Sequence, residues 1–164
     1  SRNFPVPVVI VQHIAPGFVG GFADWLGQAS EVPVHVAVAG QELLPGRAYL
    51  APDGSHMGIG PDRRVVLIKG AGGNEICPSI SHLFGSVAEV YRQQAVGVLL
   101  TGMGRDGADQ LKTMRDAGAI TIVQDKESSI VYGMPQAAIN LDAACYIYPP
   151  KRIAEVLVSL VKKR

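Results

Sequence analysis

The sequence predicts an α/β fold, a three-layer sandwich around a mostly parallel, doubly wound sheet with a small β-hairpin excursion. Two observations lead to this prediction. Several apolar runs, such as residues 8–11 and 95–100, are continuous rather than alternating, which is typical of strands buried on both faces. Residues 95–123 also read as strand, helix and strand in succession, and this order implies parallel pairing through a right-handed crossover.

The first half of the chain contains four predicted strands and one predicted helix. Residues 20–29 form the helix, because their large apolar side chains fall on one helical face. Pro-Gly and Pro-Asp-Gly turns delimit the third strand. The predicted strands comprise residues 7–12, 32–39, 48–51 and 63–69. We expect the last two strands to form the hairpin-like excursion together with residues 57–59.

The second half of the chain alternates helices and strands. Its first helix has apolar residues at helical spacing from Leu83 to Tyr91, and Ser79 or Ser81 is the expected cap. A Gly-rich turn then leads into a helix that begins near Asp106 and ends at a glycine. The remaining predicted elements are strands 95–100, 119–123 and 145–148 and helices 135–141 and 151–161.

Length, charge and cysteine content exclude several classes of protein. A chain of 164 residues suits one domain, and we expect residues 1–164 to form it. A net charge of +1 without a clustered basic stripe argues against a nucleic-acid partner. No apolar run has the length of a membrane span, so we expect no membrane insertion. The two cysteines, Cys77 and Cys145, lie far apart in the sequence and do not form a metal-type pair. This cysteine content is typical of a protein of the reducing cytoplasm.

Two polar features directly follow predicted strands. His13 follows the first strand, and the segment TGMGRDG, residues 101–107, follows a later one. Ligands of parallel α/β sheets bind beyond the carboxyl ends of the strands, so we expect both features at one edge of one sheet. Structural roles remain open at this point, because a lone histidine often lies on the surface and Asp106 is a routine helix N-cap.

The glycines of TGMGRDG have two interpretations. They permit positive φ in a tight turn, or they hold main-chain N–H groups against an anion. The segment matches neither dinucleotide-binding nor P-loop spacing, which disfavours a nucleotide site.

A histidine and an aspartate at one sheet edge suggest the supporting pair of a Ser-His-Asp system. Such a system needs a serine on a sharp strand-to-helix turn. No serine of the sequence occupies such a turn, including Ser55, Ser79, Ser81, Ser128 and Ser129. The other histidines are expected to be structural or at the surface: His56 in the hairpin, His82 on a helix and His35 inside a strand.

Three segments carry a family resemblance: VVIVQHIAPGF, LPGRAYLAPDGSHM and VGVLLTGMGRDGADQLKTMRDAGAITIVQDKESSIVYGMPQAAI. They resemble the catalytic domain of the CheB family, the chemotaxis protein-glutamate methylesterases, and the similarity covers nearly the whole chain. The resemblance implies that His13 is the catalytic histidine and that Asp106 is the acid of the triad. It also implies that the main chain of Met103 lies at the oxyanion site, with Gly102 and Gly104 supporting the loop.

Two departures from the family pattern stand out. The family nucleophile is a serine in a G-A-S-T-G-G segment, which the sequence does not contain. We expect that segment upstream of Ser1, so the domain is expected to be N-terminally incomplete. The sequence also reads CPSIS at residues 77–81 where the family usually reads R-P-S-V-D, so charges are absent at Cys77 and Ser81. This second departure bears on receptor specificity.

The resemblance implies a carboxylic ester hydrolase. It implies hydrolysis of glutamate γ-methyl esters, and deamidation of glutamines, on methyl-accepting chemotaxis receptors by a Ser-His-Asp mechanism. No cofactor and no metal are implied, and family members usually carry an N-terminal receiver domain. The alternative is a non-catalytic protein-binding module that keeps the fold, which the missing serine and the altered PSIS segment favour.

Overall fold

The computed structural model describes residues 4–73 and 75–162 and confirms the α/β class. It contains five α-helices, two parallel sheets and one antiparallel hairpin. The chain forms two compact units, which divide at Ser79 and again at Val161. Within the described part of the chain, no helix combines the length and the apolar character needed to cross a bilayer.

The first unit is built on a three-stranded parallel sheet in the order β1-β3-β2. Its elements are β1 (Val8–Ile10), α1 (Val19–Ser30), β2 (Val34–Val36) and β3 (Ala48–Leu50). The side chain of Leu50 from β3 is completely buried and forms a core with Val19 and Ala23 of α1. The helix thereby covers one face of the sheet, as the continuous apolar strands predict.

The hairpin of the first unit pairs β4 (Ser55–Ile59) with β5 (Val65–Lys69). The hairpin was predicted, but the assignment of residues 48–51 to it is wrong. Residues 48–50 form β3, the central strand of the parallel sheet, where all three side chains are buried. A short apolar run satisfies either environment, and only strand pairing distinguishes them.

The expectation that His56 lies on the surface of the hairpin is also wrong. The His56 side chain is buried and its Nδ1 accepts a hydrogen bond of 3.2 Å from the Ser79 N–H. Because Nδ1 needs a lone pair for this bond, the neutral ring carries its proton on Nε2, which lies 3.1 Å from Glu75 Oε1. The other oxygen of Glu75 accepts a bond of 2.6 Å from the Ala71 N–H. The imidazole therefore holds the segment that follows β5.

The second unit is built on another three-stranded parallel sheet, in the order β6-β7-β8. Its strands are β6 (Val96–Leu99), β7 (Ile120–Gln124) and β8 (Tyr146–Tyr148). Its helices are α2 (Ile80–Tyr91), α3 (Ala108–Asp116), α4 (Gly133–Asn140) and α5 (Pro150–Lys162), with a short 3₁₀ helix at Arg92–Gln94. Helix α3 packs on α2, on α4 and on the sheet, and it buries Leu111 and Met114 completely.

The expectation of one common sheet is corrected by this topology. β1 precedes His13 and β6 precedes Asp106, and these strands belong to different sheets in different units. The rule about carboxyl edges therefore applies to each sheet separately. His35 lies within β2 as expected, with its Nε2 buried and, among the described residues, without a hydrogen-bond partner. His82 is half-buried on α2 rather than at the helix surface.

Replacing Glu75 with glutamine tests the His56 contact through pH. The bonds from the Ala71 N–H and from His56 lower the pKa of Glu75 from its ordinary value of 4.5. A lowered carboxyl pKa stabilises the fold above the unfolded value, and this stabilisation disappears as pH falls through the folded value. We expect urea titrations at pH 7 to give wild type a higher free energy of unfolding than Glu75→Gln. This difference should vanish when the titrations are repeated at acidic pH. Glu89→Gln, an exposed change on α2, should show no such trend, and a pH-independent excess for Glu75 would contradict the assignment.

Candidate functional site

The Asp106 carboxylate caps a helix other than the one it precedes in sequence. Its Oδ2 accepts a hydrogen bond of 2.7 Å from the Ile80 N–H, and its Oδ1 accepts one of 3.0 Å from the Ser81 N–H. Ile80 and Ser81 begin α2, so the carboxylate satisfies two of the N–H groups that a helix leaves unpaired. The positive end of the helix dipole lies at the same place and favours a negative charge there.

The routine role of Asp106 as N-cap of the following helix is therefore excluded. Helix α3 begins at Ala108, its N-cap is Gly107, and no side chain of the described residues caps it. The expectation that this helix begins near Asp106 was two residues early, because the Asp106 side chain is engaged at α2.

Ser81 returns a hydrogen bond to the same loop. Its Oγ accepts a bond of 2.8 Å from the Gly107 N–H, so the start of α2 and residues 106–107 exchange three hydrogen bonds. This serine stands where the family pattern has an aspartate. The junction therefore has a neutral hydroxyl at this position.

Gly107 is required for the close approach of this loop to α2. Its φ is 89°, a backbone conformation that residues with a side chain rarely adopt. A Cβ at this position would lie 2.5 Å from Ile80 Cγ2 and 3.2 Å from Leu99 Cδ1. Any larger residue would push the Asp106 carboxylate away from the helix.

The first residues of the TGMGRDG loop are bound to the segment before α4. Thr101 Oγ1 donates to the Val131 carbonyl and accepts from the Val131 N–H, both at 2.9 Å. The Gly102 N–H donates to the same carbonyl, and the Gly102 carbonyl accepts from the Met134 N–H. A Cβ on Gly102 would lie 2.2 Å from Met134 Cε, so the Met134 side chain would have to shift to admit a larger residue.

Met103 projects from the loop that these bonds hold. Its side chain is 84% exposed, and the φ of the next residue, Gly104, is 91°. Within the described part of the chain, the Met103 main-chain N–H has no protein acceptor. The glycines of the loop thus permit positive φ at Gly104 and close packing at Gly102.

Gln124 is a residue of this loop network that sequence reasoning missed. Its side chain is only 4% exposed, and its Oε1 accepts a hydrogen bond of 2.7 Å from the Thr101 N–H. Its Nε2 donates to the Ser128 carbonyl at 2.9 Å and to Ser128 Oγ at 3.2 Å. The available signal was a polar residue that ends the buried strand ITIVQ.

His13 lies on the loop that follows β1, where it is exposed. The same loop is tied to the one after β3, because the Gly17 N–H donates to Asp53 Oδ2 at 2.8 Å. Asp53 is a second residue that sequence reasoning assigned only to a turn. His13 and Asp106 lie in different units, and their approach to each other stays a prediction.

The serines near these loops have structural partners. Ser128 Oγ is hydrogen-bonded to Asp125 Oδ1, and Ser129 Oγ donates to the Asp125 carbonyl at 2.6 Å. Among the described residues, no three His, Cys, Asp or Glu side chains come close enough together to hold a metal ion.

A family model described as CheB methylesterase matches residues 1–157. The chain belongs to the CheB methylesterase family. The resemblance is therefore confirmed, whereas the roles of His13, Asp106, Met103, Gly102 and Gly104 stay predictions.

Individual relatives agree with this membership. The chain is 56% identical over 158 residues to protein-glutamate methylesterase/protein-glutamine glutaminase 1 of Syntrophus aciditrophicus, covering 96% of this chain and 45% of the relative. It is 50% identical to the corresponding protein 4 of Geobacter metallireducens, covering 99% of this chain and 47% of that one. The crystal structure of the Thermotoga maritima CheB methylesterase catalytic domain matches with a TM-score of 0.90 and 35% identity, over 98% of this chain and 86% of that one. The chain thus spans about half the length of these two curated relatives.

Removing the charge of Asp106 tests the cap on α2. In Asp106→Asn, one α2 N–H would face an amide group instead of a carboxylate oxygen. We expect the free energy of unfolding to fall by about 1–2 kcal/mol in urea titrations. Asp109→Asn is the matched control, because Asp109 is exposed and, among the described residues, its carboxylate pairs only with Arg105 one turn away. The loss of this pair should cost less than about 0.5 kcal/mol. Equal losses in the two variants would contradict the cap.

Proposed function

We propose that the chain is the catalytic part of a protein-glutamate methylesterase. The whole protein hydrolyses glutamate γ-methyl esters, and deamidates glutamines, on methyl-accepting chemotaxis receptors. The observation that carries this proposal is the Asp106 carboxylate, which two α2 N–H groups hold in place beyond the end of β6. The activities printed in the names of its relatives support the same substrate chemistry.

The proposed mechanism uses His13 and Asp106 together. A serine hydroxyl attacks the ester carbonyl while His13 takes its proton and delivers it to the methanol that leaves as the ester C–O bond breaks. Water then hydrolyses the acyl-enzyme, with His13 again taking and returning the proton, and this step frees the glutamate carboxylate and the serine. Asp106 accepts a hydrogen bond from the other ring nitrogen and stabilises the imidazolium. A carboxylate offers about four lone-pair sites, so the two helix N–H groups and an imidazole N–H fit on one group.

The TGMGRDG loop supplies the proposed oxyanion site. The negative charge that develops on the carbonyl oxygen needs main-chain donors held in position before the reaction. The Met103 N–H has no acceptor in the described part of the chain, and Gly102 on its N-terminal side is fixed by two main-chain bonds. A donor on a loop held in this way suits that role.

The nucleophile and the partners belong to the whole protein. The proposed nucleophile is the serine of the family segment G-A-S-T-G-G, which the 164 residues do not contain. The proposed partners are methyl-accepting receptors as substrates and, as in other family members, a receiver domain whose phosphorylation relieves blockage of the cleft. We propose no nucleic-acid partner and no cofactor.

Methanol release from methylated receptors tests the roles of His13 and Asp106. In the full-length protein, we expect His13→Ala and Asp106→Asn each to lower kcat by more than about 100-fold. His13 carries the proton between serine and methanol, and the Asp106 charge orients its ring and stabilises the imidazolium. Asp109→Asn should stay near wild type, since the exposed Asp109 carboxylate forms an ion pair with the exposed Arg105. A folded His13→Ala protein with near-wild-type methanol release would remove His13 from the mechanism.

A serine-directed phosphonate tests where the nucleophile lies. After treatment of the full-length protein, mass spectrometry should find one adduct, and none on the serines of the 164 residues, because none of them belongs to the family segment that carries the nucleophile. A stoichiometric adduct on Ser55 or Ser128 would overturn this assignment. A protein without any adduct and without methanol release would instead be the non-catalytic binding module.

A further inference from the structure

We propose that Gln124 is a positioning residue for the TGMGRDG loop, whose buried carboxamide sets the main-chain path that leads to the Met103 N–H. This inference rests on the proposed function, since the loop matters to catalysis only if it forms the oxyanion site. Gln124 itself is not a catalytic residue, because it acts through Thr101 and does not touch the reacting atoms.

Gln124 continues the sheet where the strands end. The ladder between β6 and β7 finishes with Leu99 opposite Val123, so the main chain of Thr101 lies two residues beyond the last rung. There the Gln124 Oε1 accepts the Thr101 N–H at 2.7 Å. A side-chain acceptor thus replaces the main-chain acceptor that a longer β7 would have supplied, and the loop can turn away from the strand direction at this residue.

The other end of the carboxamide holds a second segment. Nε2 donates to the carbonyl and the hydroxyl of Ser128, whose N–H and hydroxyl both bond to Asp125 Oδ1. Three residues further on, Val131 exchanges two hydrogen bonds with the Thr101 side chain. A closed ring of hydrogen bonds and main chain therefore connects Gln124, Thr101, Val131 and Ser128.

Because Gln124 is buried, the ring depends on its carboxamide. The side chain is 4% exposed, and water does not readily replace a partner at such a position. An apolar side chain of the same length would leave the Thr101 N–H and the Ser128 carbonyl unsatisfied. The chain between them would then move to find other partners, and the N–H of Met103 would move with it.

Gln124→Met in the full-length protein tests the proposal, because methionine has the same length and no hydrogen-bonding amide. Catalytic hydrogen bonds tolerate displacements of only about 0.5 Å, and loss of one oxyanion donor costs roughly 100-fold or more in kcat. We expect kcat for methanol release to fall about 10-fold or more with little change in KM, which is the pattern of an interaction made in the transition state. Amide hydrogen exchange at Thr101 should also become faster.

Thr121→Val is the matched control on the same strand. Thr121 is fully buried, and its hydroxyl donates to the Ala143 carbonyl at 2.6 Å and accepts from the Cys145 N–H at 3.1 Å. Its loss therefore removes buried hydrogen bonds of the same kind from β7. We expect neither slower turnover nor altered amide exchange at Thr101 in this variant. Its midpoint of urea unfolding should nevertheless fall, as in Gln124→Met.

Gln124→Glu is the second variant in case the methionine variant does not fold. Glutamate keeps the length and an acceptor for the Thr101 N–H, and when ionised it loses the donor to Ser128. The kcat of Gln124→Glu should lie between those of wild type and Gln124→Met. If Gln124→Met does not fold, the kcat of Gln124→Glu should still lie below that of wild type.

The outcomes separate this proposal from the proposed function. Unchanged exchange at Thr101 in a folded Gln124→Met protein, or an equal fall of kcat in Thr121→Val, would overturn the positioning role while methanol release by wild type stands. A full-length wild-type protein without methanol release would overturn the proposed function and, with it, the catalytic consequence of the ring.

Discussion

The pair of hydrogen bonds that Asp106 accepts from the first turn of α2 is the constraint on which the loop beyond β6 depends. It joins a helix end, which needs acceptors, to a carboxylate, which needs donors and a fixed direction. The bond from Gly107 to Ser81 closes the junction from the other side. Because Gly107 carries no Cβ, the two segments can come close enough for all three bonds. The same contacts that begin α2 therefore also orient the side chain that the family resemblance makes the acid.

The opposite end of the loop is held in a different way. Asp106 is fixed through its own side chain. By contrast, Gln124 and Val131 bind the main chain of residues 101–102, and the Thr101 hydroxyl adds two bonds to Val131. This division suits the two proposed tasks. A group that orients an imidazole must have its side chain held, but a group that donates an N–H to an oxyanion must have its backbone held. Between these two anchored ends, Met103 leaves its side chain in solvent.

The parts of the fold that the sequence predicts correctly are those that local patterns encode. The α/β class and the succession of β6, α3 and β7 follow from apolar periodicity within about twenty residues. Strand pairing is not local, so β3 was assigned to the hairpin and two sheets were expected to be one. The cap of α2 and the role of Gln124 were missed for the same reason, since their partners lie 23 to 26 positions away in sequence. Local capping rules place Asp106 on the helix that follows it, and tertiary contact assigns it to another.

That separation along the chain has a consequence for synthesis. Helix α2 emerges first, and the residue that caps it follows 26 positions later. At roughly 5–20 residues per second, the nascent helix has an uncapped N-terminus for about one to five seconds. During this interval its first turn is held only by its own sequence, and isolated helices of this length are marginal in water. The junction between α2 and the Asp106 loop is therefore completed late, after β6 has been made, and the carboxylate is placed by the finished fold rather than by its own segment.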